Sequence, residues 1–221
     1  IDRLLPLYKE ELDGNNYFRL NDSPGIISYV GLPEAVQHHT GFDLSDSDEA
    51  LKLSTRIVEA MDEYTRQMLP STRLLTSSIT FEPAGHRLTS LDVSSGYLKA
   101  KDVTNYTEHS NLPLTTAIPL KKRLKIEECF QQRTKGGHLF DLRLEEPFPT
   151  YEVLANNTRR IIDTADIGLF TFTRDYSYCS RCRSMTYGFY EKCPECGYDG
   201  NRIMLYTKTY GKIKPSKMWN I

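Results

Sequence analysis

Cys179-Ser-Arg-Cys182 and Cys193-Pro-Glu-Cys196, followed by Lys208-Thr-Tyr-Gly-Lys-Ile-Lys-Pro-Ser-Lys-Met-Trp-Asn220, form the stretch on which the reading of this chain turns. A Cys-x2-Cys turn places two thiolates on one side of a metal. Two such turns complete a tetrahedral four-sulfur shell, which suits zinc. The spacer, residues 183–192, has room for a short hairpin, and Pro194 and Gly197 supply turn chemistry for the second knuckle. A closed shell leaves no open coordination position, so the expected role is structural. Thiolates also hold iron–sulfur clusters, which stand as the alternative metal. Two disulfides or a redox Cys-x2-Cys fit less well. Only Cys129 lies outside the cluster, and no signal-peptide pattern opens the chain, which is the usage of a reducing compartment. Cys129 itself is expected to be a half-buried small residue without chemistry.

The 221 residues, net charge of −1 and 39% hydrophobic content allow a sizeable core and give no overall charge that would draw nucleic acid. No apolar run approaches the roughly 18 residues a membrane span needs. Charge is uneven, however. From Gly200 onward the chain carries Arg202, Lys208, Lys212, Lys214 and Lys217 and no acidic residue.

Periodicity organises the rest. Leu4, Leu5, Tyr8 and Leu12 predict a helix within residues 1–20, broken at Asp13-Gly-Asn-Asn16. Ile26 to Val30 predicts a strand, and a short helix follows Gly31, with Pro33 in its first turn and Gly41 at its end. A long helix is expected from Ser47 to Met68, burying Leu51, Ile57, Val58, Met61, Tyr64 and Met68. Strands are expected over 74–81, 115–120, 139–144 (alternating) and 167–172, and a helix over 150–165 with Val153, Leu154, Ile161 and Ile162 inward. Strands alternating with helices argue for a mainly parallel α/β sheet or a portion of a barrel. His38, His39, His86, His109 and His138 have no metal-like spacing and read as surface or second-layer residues.

Six motifs in order resemble one family, the anaerobic (class III) ribonucleotide reductases, which are glycyl-radical enzymes. They are Gly25-Ile-Ile-Ser-Tyr-Val-Gly-Leu-Pro-Glu-Ala-Val36, Glu82-Pro-Ala-Gly-His-Arg-Leu-Thr-Ser-Leu-Asp92, Tyr106-Thr-Glu-His-Ser-Asn-Leu-Pro113, Lys135-Gly-Gly-His138, the paired Cys-x2-Cys knuckles, and the closing Gly-(x)7-Trp-Asn. The resemblance covers essentially the whole chain as the C-terminal part of the large subunit. It implies the C-terminal half of a ten-stranded α/β barrel over residues 1–175. A four-cysteine zinc ribbon over 176–200, held by Cys179, Cys182, Cys193 and Cys196, and a glycyl-radical loop over 201–221 would follow.

The same resemblance assigns the radical to Gly211, because Lys208-Thr-Tyr-Gly resembles the family's Arg-Val-x-Gly, although Lys212 stands where the family has an aromatic residue. Glycine suits that task, since a planar radical Cα tolerates no Cβ well. A radical S-adenosylmethionine activase with an iron–sulfur cluster would install the radical. A barrel cysteine, converted to a thiyl, would take the ribose 3′-hydrogen of a ribonucleoside triphosphate, giving a deoxyribonucleotide for DNA replication. Glu82 corresponds to a carboxylate of the family's active-site region. It reads equally as a ribose hydrogen-bond acceptor or base and as a surface residue before Pro83. Arg87 reads as its ion-pair partner or as a strand cap. The family's thiyl cysteine and its nucleotide-sensing, ATP-binding domain have no counterpart here. The expectation is therefore a part of a longer enzyme, or a partner of a separate chain carrying the other barrel half, inactive alone. A cytoplasmic homodimer without membrane contact is also implied.

Two other classes compete. A nucleic-acid-binding zinc ribbon would use the basic tail with Tyr198, Tyr206, Tyr210 and Trp219 as stacking groups. A non-catalytic spare part would carry the radical glycine to a damaged partner enzyme.

Overall fold

The computed structural model describes residues 10–19, 22–68, 73–79, 84–99, 105–108, 111–114, 116–144, 150–209 and 212–216. The chain opens, within these bounds, on a two-stranded hairpin of β1 (Glu11–Leu12) and β2 (Asn15–Asn16). Asp13 and Gly14 have φ of 52° and 77°, the left-handed pair that a two-residue hairpin turn requires. The pattern thus breaks at Asp13-Gly14 as expected, but Leu12, assigned to the helical stripe, lies in β1. Leu4, Leu5 and Tyr8 lie outside the described residues.

The expected strand after Pro24 is β3 (Gly25–Ser28), parallel to β4 (Leu74–Ser77) in the register Gly25↔Leu74 to Ser28↔Ser77. Between them run α1 (Leu32–Thr40) and α2 (Asp48–Met68). Left-handed glycines, Gly31 and Gly41, flank α1, which buries Leu32 and Val36 one turn apart. The buried stripe of α2 overlaps the one expected, with Val58 buried and Leu51 and Ile57 half-buried against the core. Ala50, Ser54, Val58, Asp62 and Thr65 face inward, whereas Tyr64 is 63% exposed.

Two helices escape the periodicity reading, α3 (Ala84–Ser94) and α4 (Leu120–Gln131). The strand expected over 115–120 is absent: residues 116–119 are irregular, and Pro119 caps the N-terminus of α4. A proline ends an extended run yet serves well at a helix start. Beyond α4, β5 (Phe140–Arg143) pairs in parallel with β6 (Phe170–Cys179), connected through α5 (Tyr151–Thr164). β5 does not alternate, because Phe140, Asp141 and Leu142 are all buried, as befits a strand covered on both faces. In α5, Ile161 is buried, while Val153 and Ile162 are 43% and 63% exposed, against expectation.

The two parallel pairs meet along Gly136 and Gly137. Gly136 N donates to Thr76 O (2.8 Å) and Ser78 N to Gly137 O (3.1 Å), so the approach to β5 runs beside the end of β4. One core cluster joins α1, α2 and α4 through Val36, Ala50, Val58, Ile126 and Phe130. A second sets Leu124 and Ile161 on the phenylalanine face of β5 and β6.

β6 runs uninterrupted past the parallel pair. Its outer half pairs with β7 (Met185–Tyr187) and, antiparallel, with β8 (Ile203–Thr209), which in turn pairs with β9 (Lys212–Pro215). The result is a mixed α/β fold with a small antiparallel extension at the end of one long strand.

Candidate functional site

The four clustered cysteines come together at the outer end of β6 and β8. Cys179 closes β6, and both knuckles turn back on backbone bonds, Arg183 N to Cys179 O (2.8 Å) and Gly197 N to Cys193 O (2.9 Å). Each knuckle places a left-handed residue right after its second cysteine, Arg183 (φ 62°) and Gly197 (φ 69°). The spacer forms no hairpin of its own: its strand β7 pairs back with Tyr176 to Tyr178 of β6, so the hairpin closes around the first knuckle instead. All four Sγ atoms lie within 4.8 Å of one another, with Cys179 to Cys196 at 3.8 Å and Cys182 to Cys193 at 3.7 Å. A disulfide needs about 2.05 Å, so these are free thiols. A regular tetrahedron with metal–sulfur bonds of about 2.3 Å has edges of about 3.8 Å, which these separations match. The four cysteines can therefore hold a metal.

The Ser184 hydroxyl lies 3.0 Å from Cys182 Sγ and 3.5 Å from Cys193 Sγ. Its hydrogen bond is the main cause that lowers both thiols, Cys193 to about 6. At Cys196 the Tyr198 N–H acts in the same direction. Desolvation and the three neighbouring sulfurs outweigh it and leave that thiol at about 11.

Three of the quoted motifs converge on a second place, the segment 105–108. Gly31 N donates to Thr107 O (3.0 Å), and Glu34 Oε1 accepts from Thr107 N (2.9 Å) and Thr107 Oγ1 (2.5 Å). Desolvation raises the Glu34 carboxyl, against those two bonds. From α3, Thr89 Oγ1 accepts from Tyr106 N (3.0 Å) and Asp92 Oδ2 from Tyr106 Oη (2.6 Å), while Gly85 N donates to Glu108 Oε1. A Cβ at Gly85 would strike Tyr106 O. The motif residues Gly31, Glu34, Gly85 and Asp92 thus act together to fix one loop.

Next to it lies a buried polar chain that the sequence reading missed. Glu127 of α4 accepts from Asn111 N (3.1 Å to Oε2), Leu112 N (3.1 Å) and His138 Nε2 (2.9 Å). His138 Nδ1 lies 2.8 Å from Ser78 Oγ at the end of β4, and Tyr29 Oη donates to Asn111 Oδ1 (3.0 Å). Burial, with the charge of Glu127, pushes the Tyr29 hydroxyl upward. His138 is fully buried and not at the surface, whereas His38, His39 and His86 are exposed as expected. His109 lies outside the described residues. One turn before Glu127, Arg123 donates to Pro113 O (2.9 Å) and Thr116 O (2.8 Å), so α4 grips the 111–116 loop with two charges. A cleft of about 310 Å³ opens beside that loop, lined in part by Thr116, Asp141, Arg143, Leu144 and Phe172.

Glu82 and Gly211 both lie outside the described residues. Arg87 is exposed on α3, so it caps no strand. Cys129 is half-buried, its Sγ directed at Lys125 O (3.3 Å), as expected. Among the described residues no helix is long and apolar enough to cross a membrane.

A family model described as anaerobic ribonucleoside-triphosphate reductase matches residues 15–221. Solved structures of similar fold include an anaerobic ribonucleotide reductase at 21% identity, with a TM-score of 0.68 over 98% of this chain and 33% of that one. Two more are of the Thermotoga maritima anaerobic ribonucleotide reductase. One, in complex with dATP and CTP, has 21% identity, a TM-score of 0.63 and covers 97% of this chain and 34% of that one. The other, with MES in the active site, has 21% identity, a TM-score of 0.66 and coverage of 97% and 35%. The chain thus spans about a third of the length of these structures. No curated protein matches it. The family match takes in the motif junction, the buried polar chain and the four-cysteine cluster alike, and the chain belongs to the anaerobic ribonucleoside-triphosphate reductase family.

Proposed function

We propose that this chain is the radical-bearing C-terminal part of an anaerobic ribonucleoside-triphosphate reductase. In this reading residues 1–175 form the C-terminal half of a ten-stranded α/β barrel. Residues 176–200 form a zinc ribbon, and residues 201–221 carry the radical on Gly211. Cys179, Cys182, Cys193 and Cys196 hold a structural zinc. Glu82 contacts the ribose as hydrogen-bond acceptor or base. A radical S-adenosylmethionine activase removes a Gly211 Cα hydrogen, and the stored radical is passed to a cysteine of the other barrel half. Reduction of a ribonucleoside triphosphate to its deoxy form follows, with the 2′-hydroxyl leaving as water and two electrons supplied by an external reductant, formate or a thiol protein, in the cytoplasm of an anaerobic or facultative cell, by a homodimer.

The observation that carries this reading is the four-sulfur cluster at the outer end of β6 and β8, within a family match that continues to residue 221. A metal there ties the two strands that lead to and from it. In this reading the tie serves to keep β8, and the radical loop that follows it in the sequence, in register.

The nucleic-acid reading draws less support. Of the stacking groups it would use, Tyr198 has Arg181 over its ring at 5.5 Å, and Tyr210 and Trp219 lie outside the described residues. A ring already covered by a cation is a poorer stacking platform for a base.

The test is to activate the full-length protein anaerobically with its activase and record an electron paramagnetic resonance spectrum. The sample is then exposed to air and the fragments are weighed. A glycyl doublet with backbone cleavage at Gly211 is expected. An uncut chain without a doublet, from a sample whose activase is competent, sinks the reading.

A further inference from the structure

The join between the parallel sheet and the cysteine-bearing extension lies within β6. β5 pairs with Phe170 to Thr173 of that strand, and β8 pairs with Arg174 to Cys179. The two backbone ladders therefore abut without overlapping between residues 173 and 174. The side chain of Asp175 bridges this junction. Asp175 Oδ2 accepts from Arg143 Nη2 of β5 at 2.6 Å, and Asp175 Oδ1 accepts from Thr207 Oγ1 of β8 at 2.9 Å. Each carboxylate oxygen serves a different neighbouring strand. The group is well shielded: Thr207 is fully buried, and the Asp175 and Arg143 side chains are 15% and 26% exposed. Charge-assisted bonds of this length, shielded from water, resist flexing more strongly than neutral surface contacts. The parallel ladder is tied the same way one step inward, where Thr173 Oγ1 donates to Asp141 of β5.

We infer that Asp175, clasping Arg143 and Thr207, is a positioning residue that fixes the end of β8 against the parallel sheet, and with it the approach to Gly211. Thr207 stands four positions before that glycine. The inference rests on the radical role proposed above for Gly211. A hydrogen atom moves only between groups in near contact, and a displacement of about 1 Å costs on the order of a hundredfold in rate. The cysteine cluster restrains the far end of β8. The Asp175 clasp restrains the near end, and neither substitutes for the other.

The experiment compares the zinc-loaded full-length protein with Thr207→Val, Asp175→Ala and the conservative Thr207→Ser. Valine keeps the β-branched shape that strand packing uses and removes only the donor. All four proteins are expected to hold one zinc per chain. In Thr207→Val and Asp175→Ala the radical per activated chain falls at least threefold. Amide exchange of residues 207–209 rises at least tenfold, while that of β7 is unchanged. Thr207→Ser restores both. No doublet in the wild type overturns the reading of Gly211 itself. A wild-type doublet that persists undiminished in both disrupted variants, or unchanged exchange in residues 207–209, overturns the positioning role alone.

Discussion

His138 Nε2 lies 2.9 Å from Glu127 Oε2, and neither side chain has any exposed surface. The carboxylate also accepts from Asn111 N and Leu112 N, so one buried group satisfies the loop before α4, the turn before β5 and, through His138, Ser78 at the end of β4. Removing it strands several donors at once. Glu127→Ala is expected to destabilise the chain by about 3–5 kcal/mol, in the range for breaking a buried pair. Glu127→Gln keeps an acceptor and is expected to cost about 1–2 kcal/mol. Urea unfolding of the metal-loaded protein measures both, and equal losses would show that the charge and not the hydrogen bonding matters.

The same network explains where the sequence was legible and where it was not. β3, α1, α5 and β6 follow from β-branched runs, capping glycines and a Thr150 cap, because each of those signals is local. The four-cysteine cluster is equally local, two short turns facing each other. α4 was invisible because its inward face carries Arg123 and Glu127 among Leu124, Ile126 and Phe130, which flattens the apolar stripe. Its partners lie in other elements, and no pattern within Leu120 to Gln131 announces them. Asp175 escaped for the same reason: its partners are 32 residues away in either direction.

The Gly-Gly of Lys135-Gly-Gly-His138 is explained by close approach to β4. Gly137 has φ of 115°, and a Cβ there would come within 2.9 Å of Ile79 Cδ1. A Cβ on Gly136 would stand 3.0 Å from Thr76 O, the atom that its own N–H already bonds. Ile79 can yield, since its terminal methyl is flexible, but the φ cannot be adopted without strain. Gly137→Ala is therefore expected to cost about 1–3 kcal/mol. Gly136→Ala crowds a backbone atom instead and is expected to cost about 1–2 kcal/mol. Thermal unfolding of both variants checks this, and a neutral Gly137→Ala would contradict it.

Tyr106 gives a pH signature. The bond it donates to Asp92, with burial and the Asp92 charge adding, raises its hydroxyl to about 12, above the value of about 10 in an unfolded chain. A group whose folded value is raised stabilises fully below the unfolded value, and that contribution is lost as pH climbs through the folded one. Tyr106→Phe is expected to cost about 1 kcal/mol at pH 8. The gap between wild type and variant should narrow between pH 10 and 12. Denaturation curves at pH 8 and 11 measure it, and a gap that widens with pH would reverse the assignment.

Metal uptake by the cysteine cluster should depend steeply on pH, because thiolates and not thiols are the ligands. With Cys193 lowered to about 6 and Cys196 raised to about 11, the metal-free cluster at neutral pH has Cys193 as thiolate and retains the Cys196 proton. Zinc must displace that proton, so affinity is expected to rise about tenfold per pH unit for each proton released. Competition with a chromophoric chelator at pH 6.5, 7.5 and 8.5 would give the slope, and calorimetry in buffers of different ionisation enthalpy would count the protons. Ser184→Ala removes the hydroxyl beside Cys182 and Cys193, so it should raise both thiols and add to the number of protons released at pH 7. Cys196→Ser should abolish tight binding, because three sulfurs leave the shell open. An affinity flat in pH, or a Cys196→Ser protein that still holds one zinc through chelation, would mean that the metal is held elsewhere than among these four sulfurs.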